Sequence, residues 1–214
     1  MACMFQSFGY MSTIINSVPD VSEWNTSQVT DVNSMFYNYG YSSKVLSSAP
    51  DVSKWDTTNI TSIYAMFYRY GYSSLSLNSA PDMSQWSTSK ITDMSSMFFD
   101  YGYKSNLLQA SPNMSNIDTS GVANMSYMFY DYGYSSKALN AVPDVLSWNI
   151  SKVTDMSFMF YNYAQSSTSL DVVPEVKNWD TSNVETCLLC FMALEDHLLR
   201  WTLYLMCQVE TLLN

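Results

Sequence analysis

The chain has 214 residues, of which 9 are basic and 19 acidic, giving a net charge of −10. Neither nucleic acid nor an anionic membrane suits it as a partner, since both need a basic footprint, and no apolar run approaches the ~18–20 residues of a membrane-spanning helix. Charged residues are only 13% of the chain and aromatic residues 15%, so the exposed faces are expected to be uncharged, polar and aromatic, as binding or assembly surfaces are.

Pro19, Pro50, Pro81, Pro112, Pro143 and Pro174 stand 31 residues apart, which makes the chain a tandem array without insertions or deletions. Such a period predicts units that bury their apolar faces only against their neighbours. Residues 1–184 are expected to form one array, with 185–214 as an aberrant tail. The repeat is already in progress at Met4-Phe5 and no basic stretch leads into an apolar run there, so no signal peptide is expected in this chain. It is read as beginning inside a longer protein.

Within a unit, Val32, Met35, Phe36 and Tyr39 fall at i, i+3, i+4 and i+7, a spacing that predicts a short helix with one buried face. The pattern recurs from Ile63/Met66/Phe67/Tyr70 to Met156/Met159/Phe160/Tyr163. Thr30 or Asp31 is the expected cap, and Gly40, Gly71, Gly102 and Gly133 the expected left-handed stop. Beyond the polar Tyr41-Ser-Ser-Lys stretch, Leu46 and Val52 head further core columns. A short parallel strand is predicted from about Val52, with Pro50 at its start because proline donates no ladder hydrogen bond. Trp24, Trp55, Trp86, Trp148 and Trp179 keep the period, and Ile117 is the one break in that column.

The strings Val52-Ser-Lys-Trp-Asp-Thr-Thr-Asn-Ile-Thr61, Trp179-Asp-Thr-Ser-Asn-Val184 and Val153-Thr-Asp-Met-Ser-Phe-Met-Phe160 resemble the BspA-type leucine-rich repeat surface proteins and the related repeat of mycoplasma lipoproteins. The likeness covers residues 4 to about 184. It implies a leucine-rich-repeat-like right-handed α/β solenoid, each unit a short parallel strand plus a short helix, on a cell-surface or extracellular protein that binds host molecules or other cells. The family unit is usually shorter, so the Tyr-x-Tyr-Gly-Tyr-Ser-Ser segment reads as an enlarged connection, and the cysteine common after Met-Phe is absent.

Cys187, Cys190, His197 and Cys207 could offer four tetrahedral ligands, but Cys187 and Cys190 take the core slots of Met156 and Met159, so no metal site is expected. Codons exist for Glu185-Thr-Cys-Leu-Leu-Cys-Phe191 that read Asn-Met-Ser-Ser-Met-Phe in a shifted frame, the family motif in its expected place. The tail is therefore read as a frameshifted end of a longer array, which the nucleotide sequence would decide. Asp20, Asp51, Asp82 and Asp144 form a carboxylate column that turn chemistry explains better than calcium does. No cofactor is expected, and no single constellation breaks the repeat symmetry as an active site would, so the chain is read as non-enzymatic.

The candidate binding residues are two aromatic columns: Tyr37, Tyr68, Phe99, Tyr130 and Tyr161, and Tyr41, Tyr72, Tyr103 and Tyr134. Stacked tyrosines can simply cover a core; with interleaved Ser and Asn they also suit contact with a protein or glycan. The leading expectation is an adhesion or binding module, a fragment of a repeat surface protein whose partner is a protein or glycan on a host or neighbouring cell. The alternative is a structural spacer or an array that self-associates through uncapped ends.

Overall fold

A computed structural model describes residues 1–191. Each 31-residue unit makes one coil, and successive coils lie in parallel at that register: single-residue bridges join Asp31 to Ser62, Ser62 to Asp93, Asp93 to Asn124, Asn124 to Asp155 and Asp155 to Thr186. The expected α/β solenoid of strand-plus-helix units does not form. Among the described residues there is no helix, and β structure is confined to isolated bridges.

The segment expected to be helical, residues 33–42 in one coil and 64–73 in the next, is a run of overlapping turns. Its amides alternate in their partners. Met35, Tyr37, Tyr39 and Tyr41 donate to the carbonyls of Val32, Ser34, Phe36 and Asn38, three residues back, at 3.0–3.2 Å. Between them, Ser34, Phe36 and Asn38 donate across to Tyr64, Met66 and Tyr68 of the following coil at 2.7–2.9 Å, and Gly40 donates back to Phe8. A helix would keep all these bonds inside the segment; here half of them join coils.

The alternation requires left-handed backbone at three places per run: Ser34 (φ 54°), Asn38 (φ 56°) and Gly40 (φ 57°), repeated down to Phe158, Asn162 and Ala164. Only the third place is usually glycine. A non-glycine residue there costs ~1–2 kcal/mol, of the same order as the ~0.5–1.5 kcal/mol net gain of each hydrogen bond made across to the neighbour. Burial therefore decides the balance. Val32, Met35, Phe36 and Tyr39 are all at most 2% exposed, as are their counterparts through Met156, Met159, Phe160 and Tyr163, and each such side chain contributes roughly 1.5–3 kcal/mol.

The expected strand after Pro50 is also replaced by turns. Trp55 donates its amide to the Val52 carbonyl at 3.2 Å, and among the described residues a pairing in this part of the unit survives only as the bridge from Asp82 to Asn113. Leu46, Val52 and Trp55 are nevertheless buried, as are Leu77, Met83 and Trp86 one coil on. The indole Nε1 of Trp55 and of Trp86 donates to the carbonyl of Val21 and of Val52 respectively, both at 2.9 Å, which locks each ring across a coil boundary.

The expected cap acts as a turn. Asp31, Asp93, Asn124 and Asp155 each accept the amide two residues on at 2.8–2.9 Å, the side-chain turn that Asp and Asn favour. These bonds open their runs of turns two residues after the bridge; at the run of 64–73 the Ser62 hydroxyl accepts the Tyr64 amide at 3.3 Å instead.

Candidate functional site

Because neighbouring runs are in register, like side chains stack on like. Phe36, Phe67, Phe98 and Phe129 stack inside the core at centroid separations of 5.5–5.6 Å. Beside them the hydroxyls of Tyr39, Tyr70, Tyr101, Tyr132 and Tyr163 donate to the carbonyls of Ser17, Ser48, Ser79, Ala110 and Ala141 at 2.8–3.0 Å. Those tyrosines are core.

The residues between them form the two columns expected from the sequence. Tyr37, Tyr68, Phe99, Tyr130 and Tyr161 stack at 4.5–4.9 Å. Tyr41, Tyr72, Tyr103 and Tyr134 stack at 4.7–4.8 Å, and Tyr10 continues that ladder at 4.8 Å from Tyr41. All nine predicted residues are half-buried, so each ring packs against its ladder mates while keeping a solvent-facing rim.

Sequence reasoning missed what lies between the ladders. The second left-handed position of each run forms a polar column of Asn38, Arg69, Asp100, Asp131 and Asn162. Arg69 donates from Nε to Asp100 Oδ2 at 2.9 Å. Its guanidinium carbon lies 5.1 Å from the centre of Tyr68, 5.9 Å from Tyr72 and 5.8 Å from Phe99, so it stands between the two ladders. The signal was available: in a chain this poor in charge, that slot, always between two aromatic positions, holds three charged residues in succession.

The carboxylates of this column are strongly perturbed. Burial raises Asp100, and the bond from Arg69 opposes the rise. Burial pushes Asp131 up to about 7, with the Asp100 carboxylate adding to the shift and the Asn162 side chain opposing it. Asp131 is 9% exposed, and its Oδ1 makes no hydrogen bond; the same holds for Asn38 Oδ1. The ladders feel these charges: Tyr103 and Tyr130 are both pushed up to about 12, first by burial and then by Asp131.

The remaining sequence candidates lie elsewhere. Asp20 and Asp51 each accept the amide and hydroxyl of the serine two residues on, and Asp82 accepts the Ser84 amide, so these carboxylates shape turns. Cys187 and Cys190 are joined in a disulfide. The coil register continues past residue 184: Phe158 and Phe160 donate to Leu188 and Cys190, and Phe191 stacks on Phe160 at 5.0 Å. His197, Cys207 and the rest of the tail lie outside the described residues.

Coils stacked at a constant register through the described residues define a tandem-repeat protein. Residues 1–102 and 72–201 match the family described as "Mycoplasma protein of unknown function, DUF285", and the chain belongs to that family. No curated protein and no solved structure matches it. Among the described residues no helix is long and apolar enough to cross a membrane.

Proposed function

We propose that the chain is a non-enzymatic binding module, part of a repeat surface protein of the BspA-like kind, whose aromatic face contacts a protein or glycan. The observation that carries this reading is the pair of half-buried ladders, Tyr37 to Tyr161 and Tyr41 to Tyr134, held parallel by the coil register. Rigid aromatic rims on a fixed scaffold lose little entropy on binding. Their repetition lets several weak contacts act together on an extended partner, so avidity grows with the number of coils. A surface or extracellular location follows from the same reading.

The test replaces Tyr41, Tyr72, Tyr103 and Tyr134 together by Ser and measures binding to protein and glycan panels alongside the unfolding midpoint. Loss of binding with the fold intact is the expected result. Unchanged binding by a folded variant would place the contact surface elsewhere, and end-to-end oligomers without any ligand would favour the structural array.

A further inference from the structure

The two outer ladders use up the faces of their own rings. From Tyr37 to Tyr161 and from Tyr41 to Tyr134, neighbouring rings lie 4.5–4.9 Å apart with planes 2–12° from parallel. Each interior ring is covered on both faces by its ladder mates, so these half-buried side chains turn only their edges to solvent. A sugar ring that packs on an aromatic side chain needs the open, electron-rich face, which an edge does not offer. A partner that meets every edge in the same way must share the ladder repeat. An extended strand laid along the stack advances ~6.7 Å for each pair of residues and a helix ~5.4 Å for each turn, so both fall out of step within a few rings. A second copy of this chain has the same repeat.

Charge selects how two copies lie against each other. Each run crosses the face from the turn at its start to the segment just beyond the Tyr41 ladder. At the start stand Asp31, Asp93 and Asp155, which spend Oδ1 on the turn and remain partly exposed. At the far end stand Lys44, Lys104 and Lys137, all exposed, with the Lys104 ammonium 5.5 Å from the centre of Tyr72 at the edge of that ladder. The face is thus acidic along the Tyr37 side and basic along the Tyr41 side. Two such faces brought together antiparallel set lysine against lysine. Pointing the same way, about a two-fold axis parallel to the stack, they set the lysine flank of each copy against the aspartate flank of the other.

We infer that the aromatic face pairs with the same face of a second copy of this chain lying alongside in the same direction. The Tyr37 ladder of each copy meets the Tyr41 ladder of the other, with Lys44 opposite Asp31 and Lys104 opposite Asp93 across the interface. This rests on the reading of the ladders as a contact face and names the partner, since edges at a fixed repeat select a protein of that same repeat over a glycan. The contact is isologous, so it closes at two copies, whereas association through the ends of the stack would continue without limit.

The test is sedimentation equilibrium of the full chain at concentrations up to ~1 mM, where even weak pairing registers. A reversible dimer is expected, weakening as salt is raised because the flanking charges are exposed. The triple variant Lys44→Glu, Lys104→Glu, Lys137→Glu sets like charges together and should dimerise at least ~10-fold more weakly with its unfolding midpoint unchanged. A carbodiimide, which joins a lysine amine to a carboxylate with loss of water, should link Lys44 to Asp31 and Lys104 to Asp93 between copies in a mixture of isotopically labelled and unlabelled chains. A monomer throughout, a dimer indifferent to salt and to the triple variant, or open-ended oligomers would each overturn the inference. Should the triple variant fail to fold, the salt dependence and the cross-links on the unaltered chain decide. A parent chain that stays monomeric while the four tyrosines govern binding to another protein or a glycan removes the second copy and leaves the aromatic face standing. A dimer and a panel ligand both untouched by the tyrosine substitutions would remove both.

Discussion

At the scale of single residues, two side chains depart from the repeat in ways that have measurable consequences. Asp131 is the first. Its folded pKa of about 7 lies above the ~3.9 of an unfolded aspartate, so between those values the folded chain holds a proton that the unfolded chain has released. Its contribution is thus favourable in acid, declines as pH rises from about 4 to about 7, and stays lost above that. Asp131→Asn removes this dependence, and urea midpoints should show the variant more stable by ~2 kcal/mol near pH 8, once solvent screening is allowed for, and equal to the parent near pH 4. The second departure is Ile117, which stands where Trp86 and Trp148 would otherwise have a stacked ring between them. Trp55 stacks on Trp86 at 6.3 Å and Trp148 on Trp179 at 6.5 Å, but Ile117 separates the pairs, and the buried Trp148 Nε1 has no acceptor. Among the buried indole protons, that of Trp148 should exchange fastest with deuterium, and the backbone amides around Ile117 fastest among the interior coils; uniform protection would contradict this.

At the scale of elements, the sequence identified which residues are buried and misjudged the backbone that buries them. Val32, Met35, Phe36 and Tyr39 were legible as core because apolar residues at those offsets must share a face. A helix satisfies that spacing, and so does a run of turns with alternating left-handed residues. Nothing in Ser34, Ala65, Ser96, Tyr127 or Phe158, which occupy one slot, announces a positive φ, so the residue types could not separate the two. Gly40 and its mates did announce theirs, and the positive φ expected of them is present. The candidate site was legible in the same proportion: the ladders follow from periodicity, whereas the Asn38-to-Asn162 column, despite its visible run of charge, went unread because a helix would have left those side chains on its solvent face. The glycine slot supplies a test. In the coil of Phe158 and Asn162 it holds Ala164 at φ 52°, and Ala164→Gly should raise stability by ~0.5–1 kcal/mol through relief of that strain. A lower unfolding midpoint would argue against left-handed backbone at this position.

At the scale of the whole molecule, one hydrogen-bond rule repeated in every coil produces both the core and the contact face. Because alternate amides leave their own run for the next, coils are held at a constant register, and every ring meets its counterpart to form the inner ladder of Phe36 and its mates and the two outer ladders that enclose Arg69, Asp100 and Asp131. The binding reading and the correction of the helix both depend on this rule. Scalar couplings transmitted through hydrogen bonds, measured by NMR on the isotopically labelled chain, test it most directly. The amides of Phe36, Phe67, Phe98 and Phe129 should couple to the carbonyls of Met66, Met97, Met128 and Met159, one coil onward. Couplings from these amides to the carbonyls four residues back, such as Phe36 to Val32, would show a helix in each coil and contradict the account.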